Sequence, residues 1–558
     1  MSPAQRHPDL PPITYDRRGS GRTRSGSVGI AVAASIALAT TACSSSTHQT
    51  PVANTSRAAG TTGTTGGGPA DRVLRLSFLQ DPGQPPDPDV FYAGQGLALT
   101  LNAYEGLLTY KLGTATPTIV GQLATAWTVS PDKSTYTLTL RQGVTFHDGT
   151  TFDASAVKAS FDRRLAVNQG PAYMVSDVVS VTAPSPYKVI IKLKGPNSAF
   201  LDYLAAPYGP KMMSPTGLAT NAGKDHDQTY LQTHDLGTGA YTITTAKVGQ
   251  QYSLAAYPQW WGGKVYFTGI DLPVVGDLST QQLEFQKGQL AAILHDLNGP
   301  AVKSMLADTK ISTYALPTFN NQELFINPAS GFLGSKANRN AFQQALNIPA
   351  LVNSVFKGRA TVPDSIYAKG LLPAGMGAQN ITFDPSKLKA AVAAAPAADR
   401  TLVLGYDTSM PDDQQLADLV SATFAAYGLT IKVQGFTTSQ IFGWVGDPKG
   451  APNALFETFW PDAAHPYTTA HITWAADGGV NLMHCSDPAI TALLPKALAS
   501  GSEEEFSTLG TEAVSTGCWT NVAQLNDFMV AQKWLKGVAE SHDIAAPQTL
   551  IFSGLSAG

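Results

Sequence analysis

Residues 121–164 have the sequence GQLATAWTVSPDKSTYTLTLRQGVTFHDGTTFDASAVKASFDRR, which contains the most informative local patterns of the chain. Over residues 135–141 polar and apolar side chains alternate, which predicts a half-buried strand. Asp153 stands where a helix N-cap belongs, because its carboxylate can accept the free backbone N–H groups of a first turn. Phe152 before it and Val157 after it have the spacing of a hydrophobic staple. The stretch therefore predicts a strand, a tight turn and a capped helix.

The second half of the chain predicts a partly parallel sheet. The patterns favour a strand over residues 401–406, a helix over 411–427 and a strand over 430–433. A strand–helix–strand unit of this kind joins parallel neighbours. Buried strands are also predicted over residues 320–327 and 455–460. We therefore expect an α/β protein with mixed sheets.

The first 43 residues are typical of a processing segment. Residues 17–24 contain four arginines, and residues 28–41 are apolar but far shorter than the ~20 residues of a membrane-spanning helix. Cys43 follows at once, as the lipidated first residue of a mature lipoprotein would. The alternative is a plain secretory signal with an incidental cysteine. Residues 43–72, rich in Ser, Thr and Gly, then predict a flexible tether.

Length, composition and cysteine usage limit the class of protein. The 558 residues are too many for one compact core, so two or more lobes are expected. The contents of 43% hydrophobic and 14% charged residues are those of a globular protein, and the net charge of −4 argues against a nucleic-acid partner. Cys485 and Cys518 are the only other cysteines, which in an exported chain indicates one disulfide; two free thiols are the alternative.

Several short motifs resemble a known family. The runs ATAW (124–127), SPD (130–132) and RQGVTFHDG (141–149) are similar to the signature segment of the family 5 solute-binding proteins, the peptide-binding components of ABC importers. The run NAYEGL (102–107) also resembles a segment of that family, and we expect Glu105 within it to have a structural role. The resemblance extends over most of the chain.

The resemblance implies a bilobal, periplasmic-binding-protein-like fold with an extra subdomain and a ligand cleft between the lobes. The chain then divides into a lipoprotein signal peptide (1–42), a tether (43–72), lobe I (73–102, 236–314 and 519–558), the extra subdomain (103–235) and lobe II (315–518).

Asp462 is the first candidate for ligand binding. A peptide's free amino group is a cation, and burying it requires an anion nearby. In the dipeptide- and oligopeptide-binding members of the family, such an aspartate follows a tryptophan at a strand end, four residues before a proline. Asp462 lies four residues before Pro466 and just after Trp460, although the gap from the tryptophan is one residue shorter. His465 replaces the acid that the family has before that proline, and Trp460 and His465 complete the candidate set.

The alternative for Asp462 is an aspartate that caps a surface turn. His465, His471 and His484 also lie in this half of the chain and could indicate a metal site. Their spacing fits no closed zinc pattern, so neither a metal nor another cofactor is expected. The sequence holds no His-Glu-x-x-His, no Walker A motif and no dinucleotide fingerprint, and nothing in it assembles an enzyme's nucleophile and base.

The resemblance thus implies a monomeric, exported binding protein, anchored to the outer face of the cytoplasmic membrane through Cys43. It would bind di- or oligopeptides and deliver them to the permease and ATPase subunits of an ABC importer. One alternative is another cargo on the same fold, such as a glycan fragment, an opine or a metal chelate. A second is a regulatory lipoprotein of the cell envelope that has no part in transport.

Overall fold

The computed structural model describes residues 68–94, 96–295, 297, 299–329 and 331–558. All of them belong to one compact unit, Gly66–Gly558. The predicted signal peptide, Cys43 and most of the predicted tether lie outside the described residues.

The described residues form nineteen strands and fourteen α-helices, numbered here in chain order. The strands are β1 Val73–Arg75, β2 Leu108–Tyr110, β3 Ile119–Gly121, β4 Ala124–Val129, β5 Thr135–Leu140, β6 Val178–Ser185, β7 Lys188–Leu193, β8 Tyr241–Lys247, β9 Gln251–Ala256, β10 Gly269–Pro273, β11 Ala292–Ile293, β12 Ile311–Ile326, β13 Ala360–Thr361, β14 Thr401–Asp407, β15 Thr430–Phe436, β16 Ala454–Phe459, β17 Trp519–Gln532, β18 Leu535–Lys536 and β19 Ser556–Ala557. The α-helices are α1 Leu97–Ala103, α2 Ala154–Val167, α3 Phe200–Ala205, α4 Pro215–Asn221, α5 Leu278–Gln286, α6 Gly299–Ala307, α7 Lys336–Gln344, α8 Ile348–Val355, α9 Ser386–Ala394, α10 Pro411–Ala425, α11 Thr438–Gly443, α12 Pro466–Thr469, α13 Pro488–Ser500 and α14 Glu503–Ser515.

The stretch quoted first folds as its sequence predicts. Strand β5 is followed by helix α2, and the Asp153 carboxylate caps that helix by accepting from the backbone N–H of Ser155 at 2.8 Å. Phe152 and Val157 are both fully buried in the same hydrophobic cluster. The capping and the apolar face, both local features of the sequence, are thus confirmed.

Three sheets organise the molecule. The first has the order β1-β10-β9-β8, and the second, antiparallel, has the order β4-β5-β7-β6. The third has seven strands in the order β11-β17-β12-β16-β14-β15, with β13 added against β17. Strand β14 pairs in parallel with both β15 and β16, so the predicted parallel unit is confirmed and the sheet is mixed. Helix α10 connects β14 to β15 and packs on the face that carries Leu404 and Phe456.

Strands β12 and β17 are the two long strands of the third sheet, and they pair with each other over most of their own lengths. The prediction of a strand over residues 320–327 found only its buried second half, because the strand already begins at Ile311. The first half has a mixed polar pattern with Pro317 inside it, and the register shifts between Pro317 and Asn321. Because this continuous strand crosses residue 315, the predicted lobe boundaries stay a prediction.

The two cysteines of the described residues are joined. A disulfide links Cys485, just before α13, to Cys518, the residue before β17. This confirms the bond that the cysteine count predicted. It ties the segment that follows β16 to one of the two long central strands.

Glu105 has the structural role that its sequence context suggested. Its carboxylate accepts hydrogen bonds from the Trp261 indole N–H at 2.9 Å, the Trp260 indole N–H at 3.2 Å and the Thr238 hydroxyl at 2.7 Å. Burial raises the pKa of Glu105, and these donors oppose that rise. Glu105 therefore joins the end of α1 to the segments on both sides of β8 and β9.

Candidate functional site

Asp462 lies just beyond the end of β16, in the segment that leads into α12. Only 6% of the residue is exposed. Its Oδ2 accepts a hydrogen bond from the Tyr173 hydroxyl at 2.7 Å and a second from the Tyr92 hydroxyl. Tyr92 precedes α1, and Tyr173 belongs to a 3₁₀ helix, Gly170–Val175. Three segments far apart in the sequence therefore meet at one carboxylate.

The carboxylate of Asp462 has no cationic partner within the described part of the chain; the two tyrosine hydroxyls are its hydrogen-bond donors. Burial raises the pKa of Asp462 to about 6, although both hydroxyls act in the opposite direction. Burial, with the nearby Asp462 charge, also raises the pKa of Tyr173 well above its usual range. The site thus holds a carboxylate that a cation would stabilise in its ionised form.

Aromatic rings surround this carboxylate. The rings of Tyr92 and Tyr208 pack edge-on with their centroids 5.2 Å apart. The rings of Tyr173 and Tyr203 do the same with their centroids 5.7 Å apart. Tyr92 itself is 36% exposed, so it lies at the rim of the site with its hydroxyl turned inward. Rings of this kind combine apolar area with faces that attract cations.

Trp460 is a further aromatic residue near this carboxylate. An added Cβ at Gly94 would lie 2.6 Å from the Trp460 ring, so only glycine allows the tryptophan to approach this closely. Trp460 and Asp462 thus both contact the segment that precedes α1, at Gly94 and at Tyr92, and a ligand contact for either stays a prediction. The structure adds Tyr92, Tyr173 and Gly94, whose residue type is the only signal that a sequence reading could have used.

His465 has a different environment. Its Nδ1 accepts from the Tyr467 backbone N–H at 3.2 Å and so caps the start of α12, while its ring packs edge-on against Phe506 at 5.3 Å. Burial lowers the pKa of His465 to about 3, which keeps the ring neutral. A ligand contact for His465 stays a prediction.

The remaining histidines of this region also have contacts within the protein. His471 stacks on Tyr467 at 5.3 Å, and a ring nitrogen of His484 bonds to the Trp444 carbonyl at 2.7 Å. Across the described residues there is no group of three or more His, Cys, Asp or Glu side chains that could hold a metal ion.

One Gly-x-Ser-x-Gly run occurs, at residues 554–558. Its Ser556 lies in β19, opposite Lys536 of β18. A serine nucleophile of this motif requires a sharp strand-to-helix turn, and Ser556 is not at one.

None of the helices in the described ranges has the length and apolar character needed to cross a bilayer.

Comparison with known proteins supplies the wider context. The family described as "Bacterial extracellular solute-binding proteins, family 5 Middle" matches residues 118–480, well over half of the chain. The probable D,D-dipeptide-binding periplasmic protein DdpA of Escherichia coli strain K12 is 25% identical over 412 residues, which cover 73% of this chain and 78% of that protein. The nickel-binding periplasmic protein of the same strain is 25% identical over 458 residues, which cover 76% of this chain and 83% of that protein.

A solved structure shows the fold. The ABC transporter-associated periplasmic binding protein DppA from Helicobacter pylori, in complex with the peptide STSA, superposes with a TM-score of 0.74 at 19% identity. The match covers 87% of this chain and 98% of that one. The expectation of a bilobal α/β periplasmic-binding-protein fold with mixed sheets is confirmed.

Proposed function

Because the chain belongs to the family 5 bacterial extracellular solute-binding proteins, we propose that it binds peptides with a free amino terminus for an ABC importer. The observation that carries this proposal is Asp462, a buried carboxylate with tyrosine donors and no cationic partner among the described residues. Leaving an ionised carboxylate in such a place is unfavourable unless a cation joins it. The terminal ammonium of a peptide supplies that cation, with hydrogen bonds stronger than those of a neutral donor.

The predicted lobes suit this role. Asp462 belongs to the predicted lobe II, Tyr92 to lobe I and Tyr173 to the extra subdomain. A ligand held between these segments would be removed from water as the lobes close, and the closed form is what a permease can recognise. The energy of import would come from separate ATPase subunits.

The location follows from the amino-terminal sequence. We propose that Cys43 carries a lipid and that residues 43–72 tether a monomeric body to the outer face of the cytoplasmic membrane. A lipid anchor would keep the protein near its permease while the tether allows it to reorient.

Native mass spectrometry of the purified protein, followed by calorimetry with the ligand that it releases, tests the proposal. A peptide with a free amino terminus is expected, and addition at one hundred times its Kd should stabilise the fold by about 2.7 kcal/mol. Isolation of a glycan fragment or a nickel chelate instead would contradict the peptide proposal and favour another cargo on the same fold.

A further inference from the structure

A row of polar side chains crosses the middle of the seven-stranded sheet. Glu323 of β12 lies opposite Asn521 of β17 on one side and opposite Glu457 of β16 on the other. Directly paired residues project from the same face of a sheet, so the three side chains form one row. Glu323 is 1% exposed and Glu457 is 3% exposed. Acidic side chains are seldom buried this completely without a partner.

The two glutamates have no counter-charge. No Lys, Arg or His of the described chain forms an ion pair with either, and Oε2 of each lacks a hydrogen-bond partner. Burial raises the pKa of Glu323 to about 8. Burial also raises the pKa of Glu457 well above its usual range, and the negative charges of Asp413 and Asp407 add to that rise. Both ionisable side chains of the row are therefore acidic.

The neutral amides beside the glutamates also lack some of their hydrogen-bond partners. Asn321 lies two residues before Glu323 on the same strand and so on the same face, and it is 1% exposed. Its amide acts as a donor near Glu323 and opposes the rise of the Glu323 pKa, while its amide oxygen lacks a hydrogen-bond partner. Oδ1 of Asn521 also lacks a donor. Fully buried amides of this kind are normally hydrogen-bonded.

The segment after Asp462 belongs to the hydrophobic cluster that contains part of this face. Trp474 shares a hydrophobic cluster with Phe325 and Leu455, which lie on the same face as Glu323 and Glu457. The indole N–H of Trp474 and the hydroxyls of three buried threonines in this segment have no partner either: Thr468, Thr469 and Thr473. Unpartnered groups therefore occur both on this face of the sheet and in the segment after Asp462, and a polar ligand group that reached them would supply the missing hydrogen bonds.

The row is within reach of the site at Asp462. Glu457 precedes Asp462 by five residues, which span at most about 16 Å of extended chain. An extended dipeptide spans about 7 Å, and a long basic side chain adds several more. A ligand whose amino terminus is at Asp462 can therefore place a side chain on the row.

We propose that Glu323 and Glu457, with Asn321 and Asn521, form a second cation-binding subsite of the ligand cleft, which takes the guanidinium or ammonium group of a basic side chain. The proposal rests on the peptide function proposed above and narrows it to basic peptides. A guanidinium has five N–H donors, enough to satisfy the carboxylates and the amide oxygens together. A ligand carboxylate placed there would find no cation to pair with among the described residues.

Calorimetry at pH 7 with Ala-Arg and Ala-citrulline tests the subsite, because the ureido group of citrulline has the shape of a guanidinium without its charge. We expect wild type to bind Ala-Arg on the order of 10- to 100-fold more tightly. Glu323→Gln and Glu457→Gln should each bring the ratio of the two Kd values toward one. Glu503→Gln, at an exposed position of α14, is the matched control and should keep the wild-type ratio.

A second measurement on wild type needs no variant. Because burial raises the pKa of both glutamates, to about 8 for Glu323, a cation that binds between them should expel protons, so Ala-Arg should release more protons than Ala-citrulline in buffers of different ionisation enthalpy. Equal affinities and equal proton counts would refute the subsite and leave the peptide function standing. A ratio unchanged in both variants would refute the assignment to these glutamates. Failure of wild type to bind either peptide, or any other, would overturn both proposals.

Discussion

Asp462→Ala is the most direct perturbation of the amino-terminal site. Breaking a buried charged pair costs about 2 to 5 kcal/mol, or roughly 30- to 5,000-fold in Kd. The structure places the expected loss in the upper part of that range, because the substitution also removes the acceptor of the Tyr173 and Tyr92 hydroxyls. Asp462→Asn keeps one carbonyl oxygen as an acceptor and loses only the charge. The loss of binding free energy in Asp462→Asn should therefore lie near the lower end of this range.

The assay is calorimetry at pH 7 with Ala-Ala and N-acetyl-Ala-Ala. Wild type should bind the acetylated peptide poorly, since acetylation removes the ammonium. The Asp462 variants should bind that acetylated peptide only a little more weakly than wild type does. Asp418→Ala, at an exposed position of α10, is the control and should bind as wild type does. If wild type binds both peptides equally well, Asp462 is not an ammonium partner and the peptide function fails with it.

The same residue predicts a pH dependence of stability. An aspartate whose folded pKa is raised, here to about 6 from about 3.9 in the unfolded chain, favours folding at low pH, and that contribution is lost as the pH rises through 6. The difference of about two pKa units corresponds to roughly 3 kcal/mol. Without ligand, Asp462→Asn should therefore gain stability relative to wild type between pH 4 and pH 7.5, as measured by urea unfolding. A stability difference that stays constant over this range would contradict the assignment of that pKa.

Three further predictions follow from particular residues. Cys485→Ser with Cys518→Ser should lower the free energy of unfolding by about 3 kcal/mol, because the bond closes a loop with a sequence separation of 33; equal denaturation midpoints with and without the bond would disprove this. Cys43→Ala should move the protein from the membrane fraction to the soluble fraction, and unchanged retention would argue against a lipid anchor. Gly94→Val should weaken peptide binding at least tenfold in calorimetry, because its side chain would displace the Trp460 ring; unaltered affinity would show that this contact is dispensable.

The sequence predicted those parts of the molecule that depend on neighbouring residues. The cap of α2 at Asp153 and the parallel pairing of β14 with β15 depend on patterns a few residues long, and both were found in place. The choice of Asp462 as a candidate also depends on a local feature, its spacing to Trp460 and Pro466 at one strand end, and its role in binding stays a prediction.

Partners that are distant in sequence could not be predicted in the same way. Tyr92 and Tyr173 reach Asp462 across 370 and 289 residues, and one tyrosine among the nineteen in the chain carries no mark of this role. The pairing of Glu323 with Glu457 depends on the register of two strands that are far apart in the chain. Each glutamate alone resembles any acidic residue in a strand, and only the register places both on one buried face.

Buried acids in this protein differ in how far the protein itself satisfies them, and that difference separates structure from binding. Glu105 accepts from two indoles and a hydroxyl, and Asp87 is paired with a buried arginine at 2.6 Å. These acids need nothing further, so a structural role accounts for them. At Asp462 both tyrosine hydroxyls donate to the same oxygen, Oδ2, whereas the donors to Glu105 reach both of its oxygens; Glu323 and Glu457 have no ion-pair partner among the described residues. Because an uncompensated buried carboxylate is costly, a cationic ligand would stabilise these three acids in their ionised form. The two sets are distinguished by their partners and not by their burial, since all five residues are nine-tenths or more buried.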